Sequence, residues 1–126
     1  MLCIGLSPWI AIFGAIAFAF SSYFVIIIEA GHNSKAFAIA YMAPVVGGFI
    51  LAYRKKPLVG SLLVAFAMAM EIYVNHLQVT YYLGLLILSL GIYFLIDFSK
   101  QGRLKEFFKI SSYLVGGVII ALMANF

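Results

Sequence analysis

Five stretches of this 126-residue chain are almost without charge, and each is about as long as a lipid bilayer is thick. They run over about residues 9–28, 36–53, 58–74, 79–96 and 110–126, or 17 to 20 residues apiece. At about 1.5 Å rise per residue, a helix of that length crosses a hydrocarbon layer of roughly 30 Å. Within lipid there is no water to satisfy a free N–H or C=O, so segments this apolar can cross only as helices that bond their own backbone. The expected fold is therefore all-α, a polytopic transmembrane bundle of five spans. The placement that follows is multi-pass in a membrane, with membrane lipid as the first partner.

Composition removes the alternatives. Hydrophobic residues make up 66% of the chain and charged ones 10%, where an ordinary globular domain carries about a quarter charged. The mean hydropathy of +1.15 describes a surface no soluble domain of this size could hide. The spans use nearly all of residues 1–126, so they form a single transmembrane domain, and chemistry has to reside in the spans or in their short turns.

Cys3 is the only cysteine, which excludes an intrachain disulfide or a thiolate cluster. The first apolar run has no Lys or Arg before it and exceeds the roughly 7 to 15 residues of a cleavable signal core. It is expected to stay as a span.

Basic residues give the expected orientation. Arg54, Lys55 and Lys56 separate the second and third spans, and Lys100, Arg103, Lys105 and Lys109 separate the fourth and fifth; Lys35 alone falls on the other side. The positive-inside rule puts that side in the cytoplasm, the N-terminus with it, and the C-terminus outside. This one-sided excess also accounts for the pI of about 9.3 without nucleic acid, which is not an expected partner. Between Asp97 and Lys109, Phe98, Leu104, Phe107 and Phe108 alternate with the basic residues. Two readings stay open there: a short helix lying in the headgroup layer, or a solvated connector.

Helix association in lipid depends on small residues that let backbones approach. Ala15 and Ala19, Ala65 and Ala69, and Gly117 and Ala121 stand four apart, and Gly47 and Gly48 follow Pro44, which is expected to bend the second span. Trp9, Tyr53 and Tyr113 near one boundary, and Tyr73, Tyr81 and Tyr82 near the other, have the placement of interfacial anchors.

The polar groups left over fall on the outer turns. The first reads Glu29, Ala30, Gly31, His32, Asn33, Ser34, Lys35; the second runs from Glu71 through Asn75, His76 and Gln78. Neighbouring helices pack 8 to 10 Å apart, so two turns at one end can build a composite site. Glu71 lies one turn inside its span, at a depth where a carboxylate needs a partner, with His76, Lys35 or His32 the expected candidates. Lys35 at the start of the second span suits a phosphate. No His pair at i, i+4 occurs and no Glu-x-x-His lies on a helix face, Glu29 and His32 being read as part of a turn, so neither a metal nor another cofactor is expected. The candidate substrate-binding set is Glu29, His32, Lys35, Glu71, Asn75, His76, Gln78 and Tyr82.

Two segments carry a resemblance to a known family. Ala15 to Pro44, AIAFAFSSYFVIIIEAGHNSKAFAIAYMAP, and Glu71 to Tyr82, EIYVNHLQVTYY, resemble the YfhO-like bacterial membrane proteins of the Bacteroidetes type, over roughly Pro8 to Phe126. The resemblance implies a C-type glycosyltransferase fold that takes a sugar from a polyprenyl-phosphate carrier on the extracytoplasmic face. Such proteins are several times longer, so it also implies that this chain is an internal fragment of a longer protein, inactive alone. The acidic base of related enzymes would lie in a loop before Pro8, and no catalytic residue is assigned here. Glu29, His32, Lys35, Asn75, His76 and Gln78 match the outer-face motifs and are implied contacts for carrier phosphate or sugar.

Two other classes compete. A small proton-coupled transporter would use an embedded Glu, although neither Glu29 nor Glu71 is at mid-span. A non-catalytic assembly subunit would dock its small-residue faces on a larger membrane protein or on a second copy.

Overall fold

A computed structural model describes every residue except Met1 and Lys55; the basic position predicted at Lys55 therefore lies outside the described residues. The described residues form helices joined by short turns, with no strand among them, and the elements are a 3-10 turn at Leu2–Ile4 followed by α1 (Pro8–Ala19), α2 (Ser22–Glu29), α3 (Asn33–Arg54), α4 (Pro57–Tyr73), α5 (Leu77–Lys100) and α6 (Leu104–Met123). Four stretches are long and apolar enough to cross a membrane: Pro8–Glu29, Asn33–Arg54, Leu77–Lys100 and Leu104–Met123. The remaining apolar helix, Pro57–Tyr73, has 17 residues.

Three boundaries differ from the sequence expectation. The first apolar run is two helices, because Ser21 adopts an extended backbone (φ −62°, ψ 144°) ahead of α2. Paired serines are a common origin of such a break. Phe18 and Phe24 pack edge to face across it, ring centroids 5.2 Å apart. The stretch read as an inner loop, Asp97 to Lys109, shrinks to the turn 101–103, where Gly102 takes φ 70°. Leu104 to Lys109 are helical, but they form the first turns of α6 rather than a separate helix on the membrane surface. The charges there do not oppose helix formation, since Glu106 in the first turn favours the positive helix end. Pro44 lies within the continuous α3.

Large side chains point outward to an extent no water-soluble protein shows. Trp9 is 81% exposed, and Phe13, Phe20, Phe66, Leu77 and Met123 are similarly open, along with most of the Ile and Leu of α1, α2 and α5. An apolar surface this extensive needs a hydrocarbon surround. The protein is accordingly a membrane protein of packed helices.

Its centre is α4, which packs most closely on α3 and α6. Small residues make this possible. A Cβ on Gly60 would run into the backbone of Ala52 and Gly48, and one on Gly48 would stand 2.9 Å from the Gly60 carbonyl. A Cβ on Gly117 would lie 2.8 Å from the Ser61 carbonyl. Backbones therefore touch at both α4 crossings, the close approach expected where van der Waals packing replaces the hydrophobic effect. Gly117, Ala121 and Ala65 are buried as the four-residue spacing suggested, whereas Ala15 and Ala19 are exposed. Gly60 and Ala52 are the contacts that the four-residue pairs missed.

α5 stands off from α4, leaving an apolar cavity of about 300 Å³ among Val45, Val64, Leu83, Ile87 and Leu114. Tyr53 joins the ends of three helices. Its ring stacks on Phe94 at 4.7 Å and on Phe107 at 5.4 Å, with Phe98 edge-on at 5.9 Å. The Ser111 hydroxyl donates to the Phe107 carbonyl (2.9 Å), which leaves Tyr53 to donate to Ser111 (2.7 Å). Tyr53, expected to anchor at the interface, is thus a buried core residue, because the aromatic residues of α5 and α6 converge on it. It also sets the turns after α3 and α5 side by side at one end of the bundle, the basic end. At the other end, Asn125 donates to the carbonyls of Ala69 (3.1 Å) and Ala121 (2.9 Å), tying α6 to α4 beside the polar turns.

Candidate functional site

The two polar turns have different interiors. In the first, α2 ends at Glu29, Gly31 takes φ 78°, and α3 starts at Asn33. Glu29 and His32 are exposed, and Lys35 is half-buried with its ammonium 5.6 Å from the Tyr23 ring centroid. That placement is a cation–π contact, which holds the lysine on α2 and leaves its N–H donors open to a ligand. Phe24, Ile27, Ala36 and Ile39 pack beneath and fix the hairpin.

The second turn is built around Asn75, exposed and in the left-handed region at φ 54°. Short polar side chains tolerate that conformation better than other non-glycine residues. Glu71, 0% exposed, faces inward one turn before it. The Thr80 hydroxyl, one turn after it, lies 3.1 Å from Glu71 Oε1 and 3.3 Å from the His76 carbonyl, so it links the last turn of α4 to the first turn of α5. Glu71 Oε2 and His76 Nδ1 are buried without a hydrogen-bond partner. Gln78 and Tyr82, both exposed, meet on the outer face of α5 at 3.4 Å. Tyr81 and Tyr82 pack together, centroids 5.9 Å apart.

Helix order places both turns at the same end of the bundle, but their side chains fall into separate groups. Lys35 joins Tyr23; Glu71 joins Thr80; Gln78 joins Tyr82. Among the described residues no hydrogen bond or ion pair links Glu29, His32 or Lys35 to Glu71 or His76, and no group of three His, Cys, Asp or Glu side chains gathers. Glu71 takes Thr80 as its partner where His76, Lys35 or His32 was expected. The signal for Thr80 was available, since Glu71 and Thr80 stand symmetrically about the turn of an antiparallel hairpin.

Chemically, the first turn offers a lysine, an imidazole and the N-terminal end of α3, a set of donors suited to an anion. The second offers an enclosed carboxyl with one oxygen unbonded, a poor position from which to take a proton from a bulky substrate. No family model, characterised protein or solved structure matches the chain.

Proposed function

We propose that this protein is the membrane module of a C-type sugar transferase of the YfhO-like kind, which holds a polyprenyl-phosphate-linked sugar at the extracytoplasmic face of a bacterial cytoplasmic membrane. The observation that carries the reading is the first polar turn. It places Lys35, half-buried against Tyr23, and exposed His32 at the start of α3, within the segment whose sequence resembles that family. Lys35 and His32 would receive the carrier phosphate and stabilise it as it leaves the sugar. Asn75, His76, Gln78 and Tyr82 would line the sugar side, with Glu29 at the rim. Glu71 would support the second turn from within through Thr80. The module supplies binding groups and no assigned base, so transfer requires a carboxylate from elsewhere in the assembly.

Binding is the property to test. In lipid nanodiscs examined by native mass spectrometry, the protein should retain polyprenyl phosphate in preference to uncharged polyprenol, and the double substitution His32→Ala, Lys35→Ala should lower that preference severalfold. Equal retention of both lipids by the unsubstituted protein overturns the reading.

A second reading is favoured by a separate observation. α1 and α2 extend from the packed core with most of their large side chains exposed, a surface on which a larger membrane protein or another copy could seat. Co-purification of a defined partner, lost when α1 side chains are replaced and accompanied by no polyprenyl-phosphate retention, would support an assembly subunit instead.

A further inference from the structure

At the basic end, α4 and α6 run parallel and in contact, so both of their N-termini open at the same end. Neither is capped by a side chain. The residues in the cap positions are Lys56 and Arg103, which carry no acceptor, and neither helix start shows a side-chain cap hydrogen bond. α4 starts with Pro57, which has no N–H, so the free donors are those of Leu58 and Val59 on α4 and of Leu104 and Lys105 on α6, and they add their partial positive charge to that of the lysines.

A groove of about 220 Å³ runs away from this end between the two helices, with Ser61 and Ala65 on one wall and Ser112, Tyr113, Gly116 and Gly117 on the other. Ser61 is 5% exposed, and its hydroxyl is a buried polar group without a partner among the described residues. Such an atom calls for a ligand or water. Helical spacing puts Lys105 and Lys109 on the groove face of α6, since Lys105, Lys109, Ser112, Gly116 follow one another at intervals of four, three and four residues. Both lysines are exposed, and the one nearby carboxylate in an ion pair, Glu106, is taken by Arg103 at 2.7 Å. The groove itself is lined by the two hydroxyls, Ser61 unpartnered and Ser112 donating to the Lys109 carbonyl at 2.7 Å, and by Ala65, Gly116 and Gly117, while the lysines and helix starts stand beyond its basic end.

We propose that this groove is a binding site for one anionic phospholipid, its phosphate at Lys105, Lys109 and the open helix starts, its glycerol region at Ser61 and Ser112, and one acyl chain along Gly116 and Gly117. Charge complementarity selects an acidic headgroup, and the small residues admit a chain where larger ones would fill the space. The site lies at the opposite end from the polar turns and is independent of the sugar-transferase reading.

Native mass spectrometry of the protein from nanodiscs of mixed phosphatidylglycerol and phosphatidylcholine tests it. One phosphatidylglycerol should be retained through delipidation in preference to phosphatidylcholine. Each lysine near an anionic lipid is worth on the order of a fivefold change in affinity, so Lys105→Gln with Lys109→Gln should lower that preference about 20- to 30-fold. Lys100→Gln, at the end of α5 and outside the groove, should leave it within about twofold. Gly116→Leu, at a position where an added Cβ meets nothing within 4 Å, should reduce retention of both lipids by filling the chain path while leaving the fold intact by circular dichroism. Unchanged preference in the double variant, an equal loss in Lys100→Gln, or displacement of the lipid by soluble glycerol phosphate would overturn the proposal.

Discussion

The trio of α3, α4 and α6 and the arm formed by α1 and α2 are equally rich in small residues, yet they pack in opposite ways. In the trio, Gly48, Gly60 and Gly117 bring backbones into contact. In the arm, Gly14, Ala15 and Ala19 border a cleft of about 640 Å³ facing Ala40, Ala43 and Gly47 of α3, and only Ala11 of α1 is buried. Small residues permit close approach without enforcing it. What separates the two regions is the partner surface. Gly60 meets another glycine and an alanine at a crossing, whereas Gly47 meets the Cys3 sulfur, because the 3-10 turn at Leu2–Ile4 stands there and keeps α1 away.

Substitutions that add volume should break this contrast most sharply. Gly60→Ala would drive a Cβ into backbone atoms of Gly48 and Ala52, which cannot rotate away, and should cost 3 kcal/mol or more on the scale of about 1 to 3 kcal/mol or beyond for overpacking. Steric-trapping measurements of unfolding in detergent would read it, and wild-type stability would contradict the touching-backbone crossing. Glu71→Ala should cost about 2 kcal/mol by removing an enclosed group and the acceptor of Thr80, while Glu71→Gln, which keeps an oxygen for that hydroxyl, should cost less than half as much. Equal effects would show that the Thr80 bond is unimportant. Tyr53→Phe keeps the ring stack and loses only the bond to Ser111, so about 1 kcal/mol is expected in the same assay. Ala15→Leu in the arm should change stability by less than about 0.5 kcal/mol, as surface substitutions do. A large effect there would mean that the cleft is closed in the membrane.

The same contrast explains what the sequence made visible. Lack of charge marked the helices, and α3, α4 and α5 begin or end within about four residues of the apolar runs, because hydrogen bonding within lipid leaves the chain no alternative. Ser21–Ser22 and the start of α6 were missed for a shared reason: hydropathy registers where a chain can be buried in lipid, whereas a helix starts or breaks on backbone geometry. Adjacency was harder still. Nothing in the runs themselves says that α4 rather than α5 occupies the centre, since that depends on Gly60 of one helix meeting Gly48 of another. At the polar end, depth alone identified Glu71 as a residue needing a partner, and both turns were placed at one end. Which side chains meet across a turn depends on hairpin register, and so Thr80 escaped notice while Lys35 paired with an aromatic ring.

The central position of α4 has a consequence for biogenesis. Its two flanking helices are made at different times: α3 emerges just before it, but α6 follows only after α5, about 30 residues beyond Tyr73. At synthesis rates of about 5 to 20 residues per second, the flank of α4 that carries Ser61 and Ala65 is made several seconds before the Gly117 surface that covers it. During that interval this flank lacks its native partner, and Asn125, bonded to the Ala69 carbonyl in the folded chain, is among the last residues to be made.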